Sequence, residues 1–131
     1  MSGLSGLKRL RHDPIGPLLA ADDAAVRYMA RRDLLGEQIP AGRLAGLPAA
    51  RRAVARQQPD GRWRYPGGNP QIRSRAAYDQ LETFRQLGVL VCKFGLDRQH
   101  PAVAAAARFL SSCQTEAGDY RGIYGLSLIH I

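Results

Sequence analysis

The chain has 131 residues, enough for one small domain or for part of a larger one. A hydrophobic content of 45% excludes wholesale disorder, and an apolar complement of mostly Ala and Leu with 7% aromatics points to helices rather than a β sandwich. The formal charge is +8, from 19 Lys+Arg against 11 Asp+Glu, but the basic residues are scattered without a block of five, which argues against a nucleic-acid surface.

Residues 1–21 carry Gly3, Gly6, Pro14, Gly16 and Pro17 and read as a flexible lead-in, with a short helical turn around Leu18 and Leu19. Lys8 and Arg9 are not followed by an apolar run, so the start does not read as a signal peptide. No apolar stretch approaches the length of a membrane span, and a cytoplasmic location is expected.

The first helix is expected over 23–36, with Asp22 as its N-cap and Gly36 at its end. Val26, Met29, Ala30 and Leu34 would form its apolar face, and Asp23 would pair with Arg27 on the wet side. A loop with Pro40 and Gly42 leads to a second helix over 47–58, with Pro48 in the first turn. Leu47, Ala50 and Val54 would face inward there, and Arg51, Arg52 and Arg56 outward. Pro59-Asp60-Gly61 is a turn, because Pro fixes φ and Gly accepts a positive one.

Residues 64–73, with Pro66, Gly67, Gly68 and Pro70, predict a long loop or extended arm. A third helix is expected from 75 or 79 to 95, along the stripe Leu81, Phe84, Leu87, Val91 and Phe94, widened by Leu90. Gly88 within it would let a neighbouring helix approach closely. His100-Pro101 opens a fourth helix over 101–114, with Val103, Ala106, Ala107 and Leu110 inward. Cys92 and Cys113 read as free thiols in a reducing compartment. They have too few companion ligands for a four-coordinate zinc, and no metal or cofactor is expected.

Two stretches share a plan: a helix tail, a glutamine, a glycine turn and an aromatic. Gln58 and Gln114 lie 56 residues apart, and Trp63 and Tyr120 lie 57 apart. Phe109-Leu110-x3-Gln114-x3-Gly118-x-Tyr120 resembles the glutamine–tryptophan motif of the terpenoid cyclases and their relatives. Ala53-Val54-x3-Gln58-x2-Gly61-x-Trp63 resembles a second copy, with Ala53 in the place of the upstream aromatic.

The resemblance spans about residues 22–125. It implies an all-α fold of helix-hairpin repeats forming part of an α/α toroid, an open arc of about two repeats. The superfamily includes squalene and hopene cyclases and protein prenyltransferase β subunits. Gln58, Gly61, Trp63, Gln114, Gly118 and Tyr120 are then expected to be structural rather than catalytic, each glutamine reaching orphan backbone groups of a neighbouring helix. The intact protein is expected to bind an apolar or isoprenoid ligand.

The superfamily's chemistry does not carry over. No Asp-x-Asp-Asp cluster is present, Asp22-Asp23 sits where a helix cap belongs, and no zinc ligand set can be matched. Asp119, Arg121 and Tyr124 are the candidate ligand-facing residues, with Tyr78, Asp79 and Glu82 behind them. The chain itself is expected to be inactive. The closing Leu126 to Ile131 looks like the in-frame translation of a sequencing adapter, which would end the natural sequence at Gly125. The competing expectation is a non-enzymatic HEAT-like scaffold for protein or nucleic acid, suggested by Ala21 to Leu35.

Overall fold

The computed structural model describes residues 8–67 and 75–120. The first part of the lead-in, residues 68–73 of the 64–73 loop, Arg121, Tyr124 and the 126–131 tail lie outside the described residues. Those described are helical or irregular, with no strand among them.

Among the described residues, five helices follow in order. Helix α1 is Ile15–Leu19; α2 is Ala24–Met29, continued by a wide π-helical turn, Ala30–Leu34; and α3 is Pro48–Ala55. Helix α4 is Arg75–Gly88, continued in the same way by Val89–Lys93, and α5 is Pro101–Ser112. The core joins both halves of the chain, with Tyr28, Ala50, Ala53, Trp63, Leu90, Phe94, Leu96 and Ala106 among its members.

Helices α2 and α4 end alike. In α2, Leu35 N–H donates to Ala30 O and Glu37 N–H to Arg31 O; in α4, Phe94 N–H donates to Val89 O and Leu96 N–H to Leu90 O. Gly36 (φ +69°) and Gly95 (φ +65°) make the left-handed step that turns the chain back onto the last carbonyls. Tyr28 of α2 lies over Gly95, where a Cβ would come within 2.8 Å of its ring.

Several sequence expectations shift by one residue or one face. The N-cap of α2 is Asp23, whose carboxylate accepts from Ala25 N–H at 2.8 Å. With Asp23 so engaged, Arg27 donates to the carbonyls of Ala21 and Asp22. Ala25 and Tyr28 are the buried positions of α2, whereas Val26 is exposed.

Helix α4 departs further. Leu90 and Phe94 are buried as expected, but Phe84 is 68% exposed, while Asp79, Glu82 and Thr83 are buried. The inward side runs through Asp79, Thr83, Leu90 and Phe94 at the spacing of one helical face, and Phe84, inside the regular α segment, sits one residue off it. Nor does Gly88 receive a neighbour: a Cβ there would meet nothing within 4 Å.

Candidate functional site

The best-defined polar geometry lies at the corner after α3. The chain leaves the helix at Arg56, and Gly61 turns it with φ +96°. The side-chain amide that closes the corner is Gln57's. Its Nε2 donates to Gly61 O at 3.0 Å and to Ala102 O, in the first turn of α5, at 2.9 Å. Gln58, one residue on, reaches only Arg56 O at 3.2 Å. Its backbone has the structural part: Gln58 N–H donates to Arg62 O, and Gln58 O accepts from Gly61 N–H. The expected glutamine is thus displaced by one, because the residue immediately after the C-cap can fold its amide back over the turn.

Trp63 closes the corner. Its indole is buried, with Nε1 donating to Ala53 O at 2.7 Å, and its backbone N–H donates to Thr83 Oγ1 at 2.9 Å. Thr83 in turn donates to Asp79 O. Two residues on, Tyr65 N–H donates to the Asp79 carboxylate at 2.9 Å, and Arg62 stands 3.6 Å from it. The buried polar face of α4 therefore satisfies the N–H groups of an extended segment that has no β partner. Glu82 accepts from Gln86 at 2.8 Å and pairs with Arg85.

The corner after α5 has the same bonds 57 residues later. Gln114 Nε2 donates to Gly118 O at 2.9 Å, Thr115 N–H to Asp119 O, and Gly118 N–H to Thr115 O; Gly118 has φ +86°. The true correspondence is Gln57–Gln114, Gly61–Gly118 and Trp63–Tyr120, all offset by 57. That signal was present in the chain, since Gln57-x3-Gly61 repeats the spacing of Gln114-x3-Gly118 without the deletion that Gln58 requires.

The surroundings of the two corners differ. A Cβ on Gly61 would lie 2.2 Å from Ala105 O, so the first corner sits directly on α5. At Gly118 the nearest atom among the described residues is the corner's own Gln114 Nε2, at 3.7 Å. Gln114 is exposed, and Tyr120 is 50% exposed where Trp63 is 3%.

Of the candidate ligand-facing residues, Asp119 accepts a hydrogen bond from Thr115 Oγ1 within the second corner, and Arg121 and Tyr124 lie outside the described residues. A groove of about 310 Å³ lies elsewhere, lined chiefly by Leu18, Ala25, Val26, Met29 and Leu34, with Asp23 and Lys93 as its charged residues. No group of His, Cys, Asp and Glu among the described residues could hold a metal ion. No described helix is long and apolar enough to cross a membrane. Burial pushes the Cys113 thiol up from its ordinary value, while the exposed pair Arg32–Asp33 holds the Asp33 carboxyl down through their hydrogen bond.

Comparison with protein-family models, curated proteins and solved structures gave no match for the chain.

Proposed function

We propose that the chain is one arc of an α/α toroid of the terpenoid cyclase and prenyltransferase kind, in which α2–α3 and α4–α5 are successive helix pairs. The intact ring would be a cytoplasmic protein that binds an apolar, isoprenoid-class molecule. The supporting observation is the pair of corners: one hydrogen-bond pattern, built on Gln57 and repeated on Gln114, at a constant offset of 57 residues. The matching ends of α2 and α4 add to it. An offset of 59 at Gly36 and Gly95 becomes 57 at the corners because α5 is longer than α3 and the loop before it is shorter.

The corners are architectural. Their glutamines serve backbone carbonyls, and no described residue is assigned a reaction step. Sequencing the gene beyond the Gly125 codon tests the reading. Further Gln-x3-Gly-x-aromatic corners, spaced by about one repeat length, are expected. A continuation of helical or other sequence without them would overturn it.

A further inference from the structure

We propose that the groove along α2 is a binding site for a linear amphiphile with one negative charge, a free medium-chain fatty acid, whose carboxylate meets Lys93. The groove encloses about 310 Å³, at the lower end of the range for small-molecule sites, and its lining is apolar apart from Asp23 and Lys93. Leu18 of α1 forms part of the wall. Helix α2 with its π turn supplies most of the rest, from Asp23 to Leu34, a span of roughly 15 Å at helical rise. The space is drawn out along a helix, which suits a linear chain better than a ring system.

The charges decide the head group. Asp23 is occupied by its own helix, since its carboxylate accepts from Ala25 N–H at the positive end of α2. Lys93 has no carboxylate partner among the described residues, and its ammonium stands 5.5 Å from the ring centroid of Phe94. The charge left to meet a ligand is therefore positive. Among the described residues no arginine lines the groove, and one ammonium without the forked donors that hold phosphates suits a monoanion. The groove also lies where the two wide turns come together. Ala30 and Leu34 belong to the π-helical turn that ends α2, and Lys93 to the one that ends α4. Such turns are rare and concentrate at functional sites. The site uses none of the corner residues and needs no closed ring, so it stands or falls apart from the toroid reading.

Titration calorimetry of the full chain with hexanoate, octanoate and decanoate, each below its micelle concentration, tests the assignment. Saturable one-to-one binding is expected, tightening by about fourfold per added methylene until the groove is full and then levelling. Lys93→Gln, at an exposed position, should weaken octanoate by about threefold to fivefold and leave octanol unchanged. Val26→Glu, which puts bulk and a negative charge into the lining, should abolish binding of all three acids while helix content by circular dichroism stays that of the parent. No saturable binding to the parent chain, octanol binding as tightly as octanoate, or an octanoate affinity indifferent to Lys93→Gln would overturn the proposal. So would uptake of several acid molecules per chain that increases without limit with chain length, which is adsorption to apolar surface.

Discussion

The side-chain amide of Gln57 joins Ala102 across 45 residues of chain at 2.9 Å, while its neighbour Gln58 reaches no farther than Arg56. One amide thus closes its own turn and ties α3 to the start of α5. Gln57→Ala removes the donor to two carbonyls, one of them on another helix, and is expected to cost about 1–3 kcal/mol. Gln58→Ala should stay within about 0.5 kcal/mol. Urea unfolding of the two variants checks the assignment, and equal losses would refute it.

Gly61 and Gly118 have the same sign of φ but different neighbours. Gly118→Ala should cost about 1 kcal/mol, the strain of a left-handed alanine. Gly61→Ala adds a methyl 2.2 Å from the α5 backbone at Ala105, which no side-chain rotation can relieve. A loss of about 3 kcal/mol or more is expected there by overpacking, and thermal unfolding of both variants measures the difference.

Asp79 holds Tyr65 N–H and faces Arg62 from a buried position. Asp79→Ala leaves a backbone donor without its acceptor and is expected to destabilise by about 3 kcal/mol. Asp79→Asn retains an acceptor oxygen and should recover part of that. Chemical denaturation of the pair separates the hydrogen bond from mere loss of volume.

Trp63 is the one tryptophan, buried, with its indole N–H on Ala53 O. Native emission should be blue-shifted and resist acrylamide, and both properties should vanish at the unfolding midpoint. Trp63→Phe keeps a ring and loses the donor, leaving Ala53 O without it, for about 1–3 kcal/mol. A red-shifted, freely quenched native spectrum would mean that the first corner is open.

Cys113 is partly buried, and burial raises its thiol pKa. The thiolate is the nucleophile, so at pH 8 alkylation of folded Cys113 should be slower than that of free cysteine and should rise at higher pH. The folded state holds this proton more tightly than the unfolded one. Its contribution to stability is therefore full below the unfolded thiol's pKa and falls as pH rises past it. Iodoacetamide rates in a Cys92→Ser background check the first expectation; a rate matching free cysteine would contradict it.

Helix positions were legible in the chain because their punctuation is local. Pro48, His100-Pro101, Gly36 and Gly95 act through their own φ angles and caps, and the helices begin or end within a few residues of them. Faces were less legible. The stripe through Phe84 follows the apolar residues, whereas the buried side of α4 passes one residue away, through Asp79 and Thr83. Asp79 was a candidate ligand-facing residue and Thr83 drew no expectation, since nothing in the sequence near them shows that an extended segment beginning at Trp63 needs acceptors.

By itself, the sequence determined that the chain is helical and where its corners fall, because capping, turn chemistry and the glutamine–glycine–aromatic spacing are properties of a few adjacent residues. Tertiary structure alone decided that the Gln57 amide reaches Ala102 on another helix, that Asp79 is a buried anchor, and that, among the described residues, one corner is covered and its counterpart is not. Those outcomes depend on which carbonyl or amide arrives from dozens of residues away, and a side chain's partners across such distances are set by packing rather than by its neighbours in the chain.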